Sequence, residues 1–162
     1  MTQILTHLNL GDNVIKYEGS RYLAQALKVN SSLRVVNLKL NRIDDKGGSK
    51  LCIDLMNNNN TIQDINLSSN SLGHMFAESL AELLKINKSI RKIDISCNFI
   101  TANNAATLRD SLENNENVIS IDIRGNNDLG DENEEMIHEI VTKNYLKSQK
   151  IPYSKKKAEK VI

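Results

Sequence analysis

A chain of 162 residues is long enough to bury one continuous core and too short for two ordinary domains with a linker. Its 21 Lys plus Arg nearly cancel its 20 Asp plus Glu, which argues against a uniformly basic nucleic-acid binder and against an acidic disordered protein. Aromatic residues make up only 4%, with no Trp and one Pro, so a core must come from Leu, Ile, Val and Ala, while 22 Asn stand out as a compositional anomaly.

The N-terminus, from Met1 to Leu5, has no basic stretch leading into an apolar one, and no apolar run approaches the roughly 18 to 20 residues that span a bilayer. The chain is therefore expected to be soluble and unsecreted. From Leu5 onward a repeat begins. Leu5, Leu8, Leu10, Asn13 and Ile15 recur as Leu33, Val36, Leu38, Asn41 and Ile43, then as Ile62, Ile65, Leu67, Asn70 and Leu72. A fourth copy follows at Ile90, Ile93, Ile95, Asn98 and Ile100, and a fifth at Val118, Ile121, Ile123 and Asn126, with Leu129 one place late. This is the LxxLxLxxNxL pattern of a leucine-rich repeat, in five copies with a period of 28 to 29 residues.

The first half of each copy reads as a short strand and the second as a helix. Leu23, Ala24 and Leu27 match Leu51 and Leu55, Leu80 and Leu84, Leu108 and Leu112, and Ile137 and Val141, spacings that place them on one face. Gly19 and the pair Gly47 and Gly48 are expected to precede the first two helices, with Phe76 and Asn104 at the matching places later. The extra residue of the second repeat falls in Asn57–Asn60, at a turn. Asn30, Asn59, Asn87, Asn115 and Asn144 are expected to close the helices in the left-handed conformation that Asn tolerates. The ninth-position asparagines should form a ladder, because an amide offers both a donor and an acceptor to backbone groups left unpaired where the chain turns.

Asp131 and Glu134 fit a capping box for the last helix. From Tyr145 onward six lysines face one Glu, a net of +5 that leaves −4 for the rest, so residues 147–162 read as a basic tail behind a repeat body of residues 1–146. Lys155, Lys156 and Lys157 repel one another, and six lysines without a single arginine are a weak nucleic-acid signal.

Catalysis finds no support in the spacing. His7, His74 and His138 occupy unrelated repeat positions, and Gly47 to Lys50 lacks the spacing that wraps a phosphate. Cys52 and Cys97 have neither a CxxC nor a His at ligand spacing, so free thiols are expected, with no metal, cofactor or small-molecule ligand. The reading is of a non-enzyme.

A period of 28 to 29 with a full helix per repeat resembles the ribonuclease-inhibitor type of leucine-rich repeat, found also in the Ran GTPase-activating protein, the tropomodulin C-terminal domain and the NOD-like receptors. The resemblance implies an α/β right-handed solenoid of five strand–helix repeats starting near residues 5, 33, 62, 90 and 118, with a parallel sheet on the concave face. Within that class, Asn37 to Gly48, Ile95 to Ile100, and Ile121 to Arg124 leading into Glu132 to Ile140 resemble the t-complex-associated testis-expressed family. That family supplies the leucine-rich subunit of the ciliary nexin–dynein regulatory complex. Its members carry an N-terminal region and further repeats ahead of the point matched by Met1, so this chain is expected to be a shortened relative or the C-terminal part of such a protein. The likeness implies a structural subunit that links doublet microtubules and restrains dynein, in the cytoplasm and cytoskeleton and in the cilium axoneme. Its partners would be other subunits of that complex, with tubulin reached through the Lys-rich tail, and no nucleic acid or membrane. The alternative is an actin-filament-end binder resembling the tropomodulin repeat domain, and a third reading is a GTPase-activating regulator.

Strand positions three, five and seven should project from the concave face. With the arginines at position two, the candidate partner-binding residues are Arg34, Asn37, Lys39, Asp64, Asn66, Arg91, Lys92, Asp94, Asp122 and Arg124. Their mixed charge suits a polar protein ligand or an extended helix.

Overall fold

Residues 4–152 are described by the structure, a computed structural model. Five strands alternate with five helices. They are β1 (His7–Asn9), α1 (Lys16–Val29), β2 (Val35–Asn37), α2 (Asp44–Asn58), β3 (Asp64–Asn66), α3 (His74–Ile86), β4 (Lys92–Asp94), α4 (Ala102–Leu112), β5 (Ser120–Asp122) and α5 (Asp131–Ser148). The strands form one parallel sheet in the order β1-β2-β3-β4-β5, each pairing with the next at the same repeat position, so Val36, Ile65, Ile93 and Ile121 stand side by side. The expected leucine-rich-repeat solenoid is the fold observed.

Between the strand layer and the helix layer lies a single apolar core. Val36, Leu38, Ile65, Leu67, Ile93 and Ile95 enter it from the strands, and Ala24, Leu27, Leu51, Leu55, Leu80, Leu84, Leu108, Leu112, Ile137 and Val141 from the helices. At the two ends the same positions are only half covered: Leu8 and Leu10 in the first repeat, Ile121 and Ile123 in the last. Each lacks a neighbouring repeat on one side among the described residues.

Gly19, Gly47 and Gly48 lie inside α1 and α2 and do not precede them, a correction to the sequence reading. Close packing explains Gly48, where a Cβ would come within 2.5 Å of Leu72 Cδ2 and 2.8 Å of Phe76 Cδ2. The Phe76 ring, fully buried, fills the space Gly48 leaves.

The ninth-position ladder forms as expected in the middle of the stack. Asn70 Oδ1 accepts the backbone N–H of Asn41 (2.9 Å) and Ile43 (3.2 Å), and Asn98 Oδ1 accepts those of Asn70 (2.9 Å) and Leu72 (3.0 Å). Each Nδ2 donates to carbonyls, that of Asn70 to Leu38 (2.8 Å), Leu67 (3.1 Å) and Ser68 (3.1 Å). The ladder weakens at the first repeat: Asn13 is exposed, and the buried Asn41 Oδ1 has no partner among the described residues.

A second column works differently from expectation. Asn30, Asn59 and Asn87 cap α1, α2 and α3 with φ of −77°, −97° and −72°, extended and not left-handed. Their Oδ1 atoms accept the N–H groups two and three residues on, as Asn59 does from Thr61 and Ile62, both 3.0 Å. The amides of Asn59 and Asn87 donate to the preceding repeat, Asn59 Nδ2 to Leu27 O at 2.8 Å and Asn87 Nδ2 to Asn59 O at 3.0 Å. Asn115, which lies beyond the Glu113 cap of α4 and does not itself close that helix, likewise donates to Leu84 O at 2.7 Å. A side-chain turn that also ties adjacent repeats together is a task the left-handed conformation would not perform. Asn144 does not close a helix at all. It lies within α5 and donates to Asn115 O and Val118 O. The helix α5 continues through Ser148, past the expected boundary at residue 146, and residues 153–162 of the basic tail lie outside the described residues.

The left-handed conformation is instead used at position eight of every repeat, by Asp12 (φ 57°), Leu40 (56°), Ser69 (57°), Cys97 (55°) and Gly125 (68°). Only the last is a residue made for it. The capping box expected at Asp131 and Glu134 is absent, because Gly130 is the residue before α5 and no side chain caps it. A box forms at α4, where Asn104 Oδ1 accepts from the Thr101 N–H (3.3 Å) and hydroxyl (3.0 Å).

Candidate protein-interaction surface

Strand positions three and five do face outward while position four is buried, giving alternating exposure across β2, β3 and β4. Over the sheet runs a shallow groove of about 380 Å³ lined by Val35, Asn37, Asp64, Asn66, Lys92, Asp94 and Asp122, among others. Six of the ten residues singled out from sequence are therefore brought together.

The position-five side chains hold their own loops as well as facing the groove. Asn37 Oδ1 accepts the Lys39 N–H, Asn66 Oδ1 that of Ser68, Asp94 Oδ1 that of Ser96 and Asp122 Oδ1 that of Arg124, at 2.9 to 3.1 Å. Asn9 does the same for Gly11 at 3.0 Å. Every strand thus ends in a side-chain turn, and the atoms left over meet across strands, as where Asn66 Nδ2 donates to Asp94 Oδ2 at 2.8 Å. A groove floor fixed in this way loses little side-chain entropy on binding. Lys92 Nζ stands 3.8 Å from Asp64 Oδ2, a loose and exposed pair.

The other four residues are distributed to the two rims. Lys39 and Arg124 follow their strands on the rim where helices begin. There the Arg124 guanidinium donates to both Asp122 oxygens and holds that carboxyl below the usual range, chiefly through the hydrogen bond. Arg34 and Arg91 precede their strands and lie on the opposite rim, where helices end. Arg34 Nη1 reaches Thr61 O at 3.4 Å, and Arg91 lines a separate hollow with Asn60, Gln63, Lys88 and Ser89. The sequence argument missed Gln63 and Lys88. Both sit in the turn that the repeat aligns with Arg34 and Arg91, so the periodicity contained the information.

The N-terminus of α3 is held across repeats by Asp45, whose carboxylate accepts the N–H groups of Gly73 (2.8 Å), Met75 (3.0 Å) and Phe76 (2.8 Å). Asp45 belongs to the first turn of α2, so no local capping pattern reveals it. The two thiols differ in setting: Cys97 is exposed, while burial pushes the Cys52 thiol well above its ordinary range. Among the described residues no three or more His, Cys, Asp or Glu side chains gather as a metal site, and no helix is long and apolar enough to cross a membrane.

A parallel sheet of five strands and one helix per strand, with a shallow groove over the sheet lined by charged, amide and aliphatic side chains, define a leucine-rich-repeat solenoid. A family model described as Leucine Rich repeat matches residues 3–24 and 29–52. No curated protein sequence matches the chain. Among solved structures, the chain is similar to leiomodin-1 actin-binding site 2, with a TM-score of 0.78 at 18% identity, over 96% of this chain and 87% of that one. It is also similar to the tropomodulin C-terminal domain of Caenorhabditis elegans, with a TM-score of 0.54 at 16% identity, over 82% of this chain and 95% of that one. At these identities the likeness is one of fold.

Proposed function

We propose that the chain is a non-catalytic protein-interaction module of the cytoskeleton that takes a polar protein surface or helix against its concave groove, and that actin is its partner. The observation that carries the actin reading is the extent of the match: a domain named as an actin-binding site is similar over 96% of this chain, with a TM-score of 0.78. The groove fits such a role physically. Its charges are of both signs, its floor is pre-ordered by the position-five turns, and it has no aromatic side chain to anchor an apolar peptide.

Cosedimentation with filamentous actin tests this, together with a filament-elongation assay at each end. Saturable cosedimentation or end-specific inhibition that falls with Asp94→Lys and Lys92→Glu supports the reading. Absence of both at concentrations well above those of the wild-type fold control overturns it. A second reading, a structural subunit of the axonemal nexin–dynein regulatory complex, is favoured by the sequence of Asn37 to Gly48 and Ile95 to Ile100. Crosslinking in a native axoneme distinguishes it, since it expects contacts to regulatory-complex subunits and none to actin.

A further inference from the structure

The two rims of the solenoid differ in charge. On the rim where helices end and strands begin, Lys28, Arg34, Lys88, Arg91, Lys147 and Lys150 outnumber Glu113 and Glu116, whereas on the opposite rim Lys16, Lys39, Arg42, Lys46 and Arg124 stand among Asp44, Asp45, Asp131, Glu132 and Glu134. Backbone bonds fix the order along the basic rim. Arg34 O accepts the Gln63 N–H (2.8 Å), and Gln63 O accepts that of Arg91 (2.7 Å), so these three position-two residues stack one repeat apart. At the strand spacing of about 4.8 Å, Arg34 and Arg91 begin about 10 Å from each other with Gln63 between them. Beside them opens a hollow of about 310 Å³ lined by Asn60, Gln63, Lys88, Ser89 and Arg91, without a carboxylate or an aromatic ring.

From this arrangement we infer that the basic rim is a second docking surface, distinct from the concave groove, which binds an extended acidic segment of a partner protein. Two guanidiniums are suited to paired carboxylates, and the amides of Asn60 and Gln63 with the Ser89 hydroxyl are suited to a peptide backbone running between. The missing aromatic platform is what separates this surface from a single-stranded nucleic-acid site. The local field agrees: Glu116, a carboxylate of this rim, is held below its ordinary range by its hydrogen bond and charge pairing with Lys147, with Lys143 and Lys88 adding to it. The chain leaves the described body at Pro152 on the same rim, and the ten residues beyond carry four more lysines against one Glu.

The inference does not depend on actin being the partner of the groove. Its test is fluorescence anisotropy of a labelled poly-glutamate peptide at about 0.15 M salt. Arg34→Glu with Arg91→Glu should weaken binding about tenfold or more, while Lys16→Glu with Lys46→Glu, the same charge change on the opposite rim, should change it less than about twofold. Truncation after Pro152 should weaken binding by a smaller factor than the arginine pair. The milder Arg34→Gln with Arg91→Gln, exposed positions that leave the backbone bonds intact, gives the same order if the reversal variant melts early. Equal losses from both rims, loss by truncation alone, no binding by the wild type, or tighter binding of a labelled oligo-dT than of the peptide would each overturn the inference.

Discussion

Replacing Asn70 with Leu tests the physics of the ladder most directly, because Asn41 supplies a control of the same residue type and the same complete burial. In the wild type the Asn41 and Ile43 N–H groups end on Asn70 Oδ1, and neither has another acceptor among the described residues. The three carbonyls that Asn70 Nδ2 serves are better provided for. Leu38 O also accepts from Asn41 Nδ2, Leu67 O from Asn98 Nδ2, and Ser68 O from the Leu40 N–H. Asn70→Leu therefore strands two buried donors. At about 1 to 3 kcal/mol for each, the loss is about 2 to 6 kcal/mol. For a chain of this size that lowers the melting temperature by ~8 to 16 °C at the middle of the range.

Asn41→Leu makes the same exchange of shape yet strands nothing. Leu10 O keeps Asn13 Nδ2, Leu38 O keeps Asn70 Nδ2 and Lys39 O keeps the Asp12 N–H, while the oxygen removed had no partner. The steric penalty is common to both variants, so their difference isolates the stranded amides. Urea unfolding monitored by far-UV circular dichroism measures it. If the two variants lose equal stability, within about 0.5 kcal/mol, the assignment of the penalty to unsatisfied N–H groups is refuted.

Asp45→Ala should destabilise the protein by about 2 kcal/mol, read as a lower urea midpoint, since three amides at the start of α3 lose a charged acceptor. Iodoacetamide should label Cys97 rapidly in the native protein and Cys52 only after unfolding, as peptide mass mapping would show, because the exposed thiol is accessible and the buried one is held neutral. The depressed Asp122 carboxyl contributes stability above the ordinary Asp range, and this is lost as the pH falls through its lowered midpoint. Arg124→Gln should accordingly raise the Asp122 midpoint in a carboxyl NMR titration and narrow the stability difference from wild type toward acid pH. An unmoved midpoint would show that the guanidinium is not the cause.

Much of the molecule was legible in one dimension because a solenoid builds its tertiary contacts from a short sequence period. Leucines at fixed repeat positions become neighbours once the strands stack in register, so the period of 28 to 29 alone located five strands, five helices and the core. The asparagine excess was legible for the same reason. Asn9, Asn37 and Asn66 at position five join the ladder and the helix-end column, so 13 of the 22 asparagines recur at fixed places.

What each column does was decided only in three dimensions, because Asn fits several backbone conformations equally well. The choice at Asn59 between a left-handed cap and an extended side-chain turn depends on Leu27 O and Asn30 O of the previous repeat, which accept its amide. Asp45 is likewise an ordinary first-turn acid in sequence, and its partners lie 28 to 31 residues away. Arg34 and Arg91 read as part of the strand face, yet one residue of offset puts them on the rim, where Lys88 and Gln63 join them. The sequence by itself determined the repeat, its period and its core, since burial follows a linear pattern. Only the tertiary structure decided which polar side chains face a neighbour repeat, the groove or a rim, since hydrogen bonds and charge depend on what stands opposite.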